Sequence, residues 1–170
     1  MPYKKVSEYS CKKIFHKYFN SEYNGVSINN INELDNDMAI LKNKKLVAKV
    51  DVGEKRRGNN GLLILNKNLD EIKNWIQDTN KKGYNKFLVE EFHNIKKEFY
   101  ISFRSDSDGD WILYYDQGGV GMGDAEDKVK KLLIDENLDF SPVNQLLGVN
   151  ITETLKSLYL MFQDYHFNLM

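Results

Sequence analysis

The stretch that decides the fold joins a short β-type run to a basic, glycine-containing loop. It reads Leu46-Val47-Ala48-Lys49-Val50-Asp51 and continues, after three residues, as Lys55-Arg56-Arg57-Gly58-Asn59-Asn60-Gly61. A polyphosphate needs several fixed cations and a flexible loop whose backbone N–H groups approach its oxygens closely. A strand would fix Lys49, while the loop carrying Arg57 and Gly58 could close over the phosphates. From spacing alone, a solvated basic turn explains the same residues equally well, and the loop matches neither a Walker motif nor a dinucleotide fingerprint.

Composition limits the kinds of protein that the chain can be. Its 170 residues, 41% of them hydrophobic, can form one compact domain or two small lobes. The 24 basic and 25 acidic side chains leave a net charge of -1, so we expect no nucleic-acid or membrane partner. The single cysteine, Cys11, has no partner for an internal disulfide, and the opening residues lack the apolar run of a signal peptide. These features favour a cytoplasmic setting.

Apolar periodicity predicts alternating helices and strands along the whole chain. In the first half we expect a β-α-β opening, with these elements in order: a helix from the Ser7 cap to about Tyr18 that packs on a sheet, a strand at 26–28, a helix across 31–41, strands at 46–50 and 61–65, and a helix from Leu69. In the second half we expect the following: strands at 87–90, 99–103 and 111–115, the last two forming a hairpin with the first as neighbour, a short helix from Asp124 through Lys131, a helical turn at Pro142, a helix from about Thr152, and the start of a strand at 165–170.

The deciding stretch resembles the ATP-grasp segment of ATP-citrate lyases, in which Val-Val-Lys-Pro-Asp leads to Lys-Arg-Arg-Gly-Lys-x-Gly-Leu. Further pieces follow in the family's order, and together they extend the resemblance from about Val6 to the last residue. These pieces are Phe87-Leu88-Val89-Glu90-Glu91-Phe92, Glu98-Phe99-Tyr100, Asp110-Trp111-Ile112-Leu113, Gly118-Gly119-Val120 with Gly123-Asp124, and Lys131-Leu132-Leu133.

The resemblance implies an α/β (α+β) ATP-grasp fold that clasps nucleotide between two sheets. We expect residues 1–170 to form a single ATP-grasp region, truncated at its carboxy-terminal end. About residues 1–85 would form the small amino-terminal lobe with the phosphate loop, and residues 86–170 part of the larger lobe. In the parent enzyme, ATP phosphorylates a histidine, citrate is activated as citryl phosphate, and CoA then yields acetyl-CoA and oxaloacetate.

Site residues are carried over from the family by position. Lys49, Arg57 and Gly58 would contact the phosphates. The hinge at 90–93, which includes Glu91 and His93, would meet the adenine edge through its backbone, and Glu98 would bind the ribose hydroxyls. Without the resemblance, Glu98 would be an ordinary solvent-facing charge beside two lysines.

Three departures from the family pattern touch the site. Val50 and Glu91 stand where the family has proline, which restores two backbone N–H groups and gives up two fixed φ angles, so the geometry can loosen and binding can weaken. Gln117 replaces the family's glutamate before the Gly-Gly-Val turn. Related enzymes follow their last helix with a strand bearing Glu-Ile-Asn-Pro-Leu, which holds magnesium, and we expect these ligands to lie beyond Met170.

Two other interpretations remain open. The β subunit of succinyl-CoA synthetase shares the ATP-grasp, but its loop reads more like Gly-Gly-Arg-Gly-Lys and its later turn carries Gly-Gly-Val-Glu-Ile-Glu. A non-catalytic nucleotide-binding or protein-interaction fragment would fit the apparent early end of the chain. We expect the chain to act with the remaining ligase and CoA-binding parts as part of an oligomer. His16, His93 and His166 do not fall in the context of the family's phosphorylated histidine.

Turnover provides a test of the expected incompleteness. We predict that the 170-residue chain, assayed with magnesium-ATP, citrate and CoA, releases no acetyl-CoA, because phosphoryl transfer depends on metal ions that its own ligands would not hold. Robust acetyl-CoA release would contradict this expectation.

Overall fold

A computed structural model describes residues 5–34, 38–53, 57–118 and 128–167. The chain divides into two compact units, residues 1–94 and 95–170. The boundary falls after Asn94 and not near residue 85, because the strand Phe87–Glu91 pairs with two strands of the first unit. The sequence had assigned this strand to the second lobe.

The first unit contains a four-stranded antiparallel sheet. Its strands are β1 (Val26–Ile28), β2 (Leu46–Val50), β3 (Leu63–Lys67) and β4 (Phe87–Glu91), and their order is β1-β4-β2-β3. Each neighbouring pair is antiparallel. The predicted β-α-β opening is therefore wrong, because β4 lies between β1 and β2 and pairs with both.

Two helices of the first unit begin where the sequence predicts. In α1 (Glu8–Tyr18), the Ser7 side chain accepts a hydrogen bond from the Ser10 N–H at 3.3 Å. In α2 (Leu69–Asn80), Asn68 and Glu71 form a reciprocal capping box. Helix α1 was expected to pack on a sheet; it has no fully buried residue, and ion pairs from Glu8 and Lys12 join it to β2 and β4.

The core of the first unit lies between one face of the sheet and α2. Strand β2 alternates, with Leu46, Ala48 and Val50 buried on this face, and α2 supplies Ile72 and Ile76. Because side chains alternate across a strand, Lys49 must point to the opposite face. The packing of β2 thus determines where its lysine is presented.

The predicted helix across residues 31–41 is wrong at its two ends, which are short 3-10 turns, Ile31–Glu33 and Ala39–Leu41. Between them Leu34 is α-helical and its carbonyl accepts the Met38 N–H at 3.2 Å, while residues 35–37 lie outside the described ranges. Leu34 and Met38 are buried together with Leu41 in the same core. The helical spacing of these apolar residues therefore reflects their common burial, while the two described ends of the segment are 3-10 turns.

The second unit packs two helices on a three-stranded antiparallel sheet. The sheet order is β5 (Tyr100–Asp106), β6 (Gly109–Tyr115) and β7 (Lys130–Leu133). Helices α3 (Ser141–Leu147) and α4 (Thr152–Asp164) follow, and both are at the predicted positions. The core combines side chains from all of these layers: Phe103, Ile112, Phe140, Val143, Leu147, Leu155, Tyr159 and Phe162. No helix in the described residues is long and apolar enough to cross a membrane.

Three predictions for the second half of the chain are wrong. The short helix expected from Asp124 through Lys131 is wrong at its end, where the chain forms strand β7 instead. Leu132 of β7 pairs with Ile112 of β6 and packs on the core. Residues 119–127, where that helix would begin, lie outside the described ranges. β7, and not the strand at 87–90, is therefore the neighbour of the hairpin. Residues 165–166 form a turn after α4 rather than a strand, since their N–H groups bond back to the helix; residues 168–170 are outside the described part.

Core packing gives a stability prediction for the first unit. Ile76→Ala removes a side chain with 0% exposure and should lower the free energy of unfolding by about 2–5 kcal/mol. The matched control, Ile40→Ala, changes a side chain that is 58% exposed and should cost less than about 0.5 kcal/mol. Urea unfolding followed by Trp75 fluorescence, with Trp111 replaced by Phe, measures both. Equal losses would contradict the assigned core.

Candidate functional site

Two cations that the sequence assigns to phosphate meet at one carboxylate in the first unit. The Lys49 Nζ lies 2.5 Å from Glu8 Oε1, and the Arg57 Nη2 lies 2.7 Å from Glu8 Oε2. The Arg57 Nη1 also donates to the Val50 carbonyl at 3.0 Å. The side chains of Lys49 and Arg57 are 15% and 27% exposed. The structure therefore brings the strand lysine and the loop arginine to the same carboxylate.

A second carboxylate, Glu90, completes this network. Lys12 Nζ donates to both of its oxygens, at 2.8 and 2.6 Å, and Tyr23 donates its hydroxyl hydrogen to Oε1 at 2.9 Å. Lys49 Nζ lies 3.3 Å from Glu90 Oε2. We call these six side chains the ion cluster: Glu8, Lys12, Tyr23, Lys49, Arg57 and Glu90. The ion cluster therefore contains two carboxylates and three cations.

Asp51 joins α1 to the end of β2. Its carboxylate accepts the backbone N–H groups of Glu8 at 2.8 Å and Tyr9 at 3.2 Å. These N–H groups lie in the first turn of α1, where a helix has unpaired donors and a positive partial charge. The Asp51 residue is only 5% exposed. A buried carboxylate two residues after Lys49 therefore fixes the start of the helix that carries Glu8.

Strand register and turn geometry bring the cluster together. In the β2–β4 pairing, Val47 lies opposite Glu90 and Lys49 lies opposite Leu88, so Lys49 and Glu90 are diagonal neighbours on one face. The chain after β2 returns through a turn in which the Leu62 N–H donates to the Arg57 carbonyl at 2.8 Å. The turn ends at Gly61 with φ of +67°, a conformation that glycine adopts without strain. This turn places Arg57 beside the end of β2.

Electrostatics keep the two carboxylates ionised. Burial opposes the charge on Glu8, but its ion pairs with Lys49, Arg57 and Lys12 outweigh burial and lower its pKa from 4.5 to about 2. Burial likewise opposes the charge on Glu90, and the contacts with Lys12, Lys49 and Tyr23 lower its pKa. The Tyr23 hydroxyl has a raised pKa because of burial and the adjacent Glu90. It remains a neutral donor at physiological pH.

The other predicted residues of the first unit lie outside this cluster. Gly58 belongs to the turn, where its carbonyl accepts the Gly61 N–H at 3.3 Å. Glu91 is exposed and pairs with Lys44 at 2.7 Å, and His93 is also exposed. The Phe92 N–H, one of the proposed hinge groups, already donates to the Lys45 carbonyl at 2.7 Å. Lys55 and Arg56 lie outside the described residues.

Glu98 belongs to the second unit. It is exposed and lines an open cavity of about 490 Å³ together with Lys96, Lys97, Asp116 and Gln117. Gly118 packs against it so closely that an added Cβ would lie 2.9 Å from the Glu98 Cβ. Only glycine permits this approach without a shift of the backbone. The glycine-rich residues after it, from 119 to 124, lie outside the described ranges.

Sequence reasoning missed the cluster residues contributed by α1 and by the segment after it. Glu8 and Lys12 are four residues apart on one helix, with Nζ and Oε1 3.1 Å apart, and this spacing was a visible signal of an ion pair. Nothing in the sequence connects them with Lys49 or Glu90, which lie far along the chain. Glu90 was noted only for its backbone, although its side chain carries the contacts.

A magnesium site is not found within the described ranges, because no group of three or more His, Cys, Asp or Glu side chains there is placed to hold a metal ion. Magnesium takes oxygen ligands, and in nucleotide sites one or two carboxylates commonly hold it together with the phosphates. The chemistry assigned below is that of the protein's own cations.

Acid titration tests the Glu8 ion pairs. A carboxylate with a lowered pKa stabilises the fold above its unfolded pKa, near 4.5, and loses this contribution as the pH falls toward 2. We expect Glu8→Gln to reduce the free energy of unfolding on the order of 2 kcal/mol at pH 7, with the difference from wild type shrinking below pH 4.5. Urea unfolding between pH 3 and 7 measures it. A difference independent of pH would contradict the ionised pair.

Comparisons with known proteins agree on one family. The chain is 45% identical over 113 residues to the probable ATP-citrate synthase subunit 2 of Schizosaccharomyces pombe, a match of 60% of this chain and 23% of the relative. It is 35% identical over 141 residues to the ATP-citrate synthase of Mus musculus, a match of 75% of this chain and 13% of the relative. The matched region thus spans less than a quarter of these relatives. No family model matches the chain.

A solved structure supports the same assignment. The ATP citrate lyase from Methanothrix soehngenii, in complex with citrate and coenzyme A, superimposes with a TM-score of 0.74 at 25% identity. The similarity covers 96% of this chain and 45% of that protein. Sequence relatives and fold thus confirm the resemblance carried by the Lys49 to Gly61 stretch and the predicted α/β (α+β) ATP-grasp class. The chain belongs to the ATP-citrate synthase family and corresponds to a part of those longer enzymes.

Proposed function

We propose that the chain is the ATP-binding portion of an ATP-citrate synthase-type enzyme and that Lys49 and Arg57 bind the phosphates. One observation carries the proposal: an ammonium from a strand and a guanidinium from a loop reach the two oxygens of the same carboxylate. A phosphate also presents adjacent anionic oxygens, and guanidinium groups suit it geometrically. Two cations that share a carboxylate can therefore share a phosphate.

Donor capacity supports this proposal. A lysine ammonium has three N–H donors and an arginine guanidinium has five. Among the described contacts, Lys49 meets Glu8 and Glu90, and Arg57 meets Glu8 and the Val50 carbonyl. Within these described contacts, both cations have N–H groups left for phosphate oxygens while they keep these partners. Gly58, in the same turn, would let the backbone approach the phosphates closely.

The remaining nucleotide contacts follow from the family resemblance. We assign the adenine edge to the end of β4, through the backbone at Glu91 and His93, because both residues are exposed there. We assign the ribose to Glu98, because a carboxylate can accept hydrogen bonds from both ribose hydroxyls. The exposure of Glu98 beside an open cavity is consistent with this role.

The relatives are named ATP-citrate synthases, and we propose the corresponding reaction for the whole enzyme: citrate, CoA and ATP give acetyl-CoA, oxaloacetate, ADP and phosphate. The region matched here is a minor part of those relatives, so we assign citrate and CoA chemistry to other parts of the enzyme, carried by further domains or subunits. The solved relative is a complex with citrate and coenzyme A, two of the substrates of the proposed reaction. We propose magnesium as the nucleotide's counter-ion and the cytoplasm as the compartment.

Ligand-induced stabilisation tests the phosphate assignment. Magnesium-ATP at about 100 times its Kd should stabilise the binding unit by about 2.7 kcal/mol, which raises its Tm by several degrees. Lys49→Ala and Arg57→Ala should lose most of this shift. The control Lys81→Ala, which changes an exposed lysine of the same unit, should keep it. Differential scanning fluorimetry measures all four proteins, and identical shifts would overturn the phosphate assignment.

A further inference from the structure

We propose that Glu8 is a positioning residue for the phosphate-binding cations: its carboxylate holds Lys49 and Arg57 at one point, and Asp51 holds Glu8 in place. This inference rests on the proposed phosphate site, because it concerns how that site is ordered before nucleotide binds. The two oxygens of Glu8 are divided between the cations, one each, at 2.5 and 2.7 Å.

Glu8 is itself fixed through its backbone. Its N–H donates to the Asp51 carboxylate at 2.8 Å, and the next N–H, that of Tyr9, donates to the other oxygen. Asp51 is bound in turn to the sheet, because its own N–H donates to the Lys86 carbonyl at 2.8 Å. The path from Lys49 through Asp51 and Glu8 back to Lys49 is a closed ring of covalent and polar bonds. A carboxylate held in this way has little freedom to follow a moving cation.

The main effect of Glu8 on phosphate binding is that it orders the Arg57 side chain beforehand. Lysine and arginine side chains have many rotamers, and a binding site that immobilises them loses this conformational entropy. Arg57 sits on a turn and not on a strand, and its guanidinium is held by only two described acceptors, Glu8 and the Val50 carbonyl. A cation that is already ordered binds its ligand with a smaller entropic loss. Glu8 therefore favours phosphate binding through geometry.

Charge works in the opposite direction, which makes the proposal testable. A carboxylate beside two cations repels an incoming phosphate, so electrostatics alone predicts that its removal strengthens binding. Lys12 moderates this repulsion, because its ammonium lies 3.1 Å from Glu8 Oε1 and also pairs with Glu90. The positioning effect and the repulsion thus predict opposite signs for the same substitution.

Binding to ATP and to adenosine separates positioning from general damage to the fold. We expect Glu8→Gln, which keeps the shape and removes the charge, to weaken magnesium-ATP binding by about tenfold while adenosine affinity stays at the wild-type value. Glu8→Asp should recover part of the loss. The control Asp78→Asn also removes one acidic charge from the first unit, from an exposed ion pair, and should bind both ligands like wild type. NMR titration of the 170-residue chain at neutral pH gives both affinities.

Each other outcome overturns a definite claim. Tighter or unchanged ATP binding by Glu8→Gln, with Arg57→Ala still weakened, overturns the positioning role and leaves the phosphate site standing. Equal loss of ATP and adenosine affinity assigns Glu8 a structural role only and also overturns the proposal. Wild-type ATP binding by Arg57→Ala overturns the proposed function instead.

A ligand-free measurement tests the same idea without nucleotide. In wild type, the Arg57 side-chain Nε–H should give a heteronuclear NOE typical of an ordered group, and in Glu8→Gln the NOE should fall toward values for exposed arginine side chains. Another arginine, Arg104, has a side chain that is 53% exposed and provides the reference for an exposed arginine. If Arg57 remains as ordered in Glu8→Gln as in wild type, Glu8 does not position it.

Discussion

The register between β2 and β4 is the constraint on which the first unit depends. Ala48 lies opposite Val89 on the core face, while the opposite face carries Lys49 and Glu90 together with the buried Leu88. A slip of one residue would reverse every side chain, burying Lys49 and exposing Ala48. The buried face, packed against α2, therefore specifies the position of the lysine. Hydrophobic packing on one side of the sheet thus determines the site on the other.

The ion cluster has a cost that packing must offset. Removing charges from water is unfavourable, and a partly buried pair repays this only when its hydrogen bonds are well satisfied. In the described residues, no buried side-chain nitrogen or oxygen lacks a partner. Glu90 shows how this is achieved, since Lys12, Lys49 and Tyr23 all contact its carboxylate. A cluster with such complete pairing contributes more to a defined arrangement of cations than to net stability.

Local sequence signals predicted what depends on local physics. The Ser7 cap, the β-type run of 46–50 and the helix from Leu69 were found because capping and alternation are encoded in neighbouring residues. The sequence also indicated that Lys49 and Arg57 act together, since eight positions separate a strand lysine from a loop arginine. The structure brings these two side chains to one carboxylate.

Long-range pairing is what the sequence could not provide. Nothing near Lys131 distinguishes a helix end from strand β7, because the deciding contact is the distant β6. The burial of Leu34, Met38 and Leu41 produced a helical period without a continuous helix in the described part. Glu8 was invisible as a site residue for the same reason, as its partners Lys49 and Arg57 are remote in sequence and meet it only through the docking of α1 by Asp51.

Val50 shows how the departure from the family's proline is accommodated. Proline at this position would have no N–H, whereas the Val50 N–H donates to the Leu62 carbonyl at 3.0 Å and joins β2 to the residue before β3. The Val50 carbonyl accepts from the Arg57 guanidinium at 3.0 Å. Valine has more freedom in φ than proline, but the hydrogen bonds of its N–H and its carbonyl restrict that freedom. Valine thus replaces a covalent restraint on φ with polar contacts, one of which comes from Arg57. Order at residue 50 and order at Arg57 therefore depend on each other.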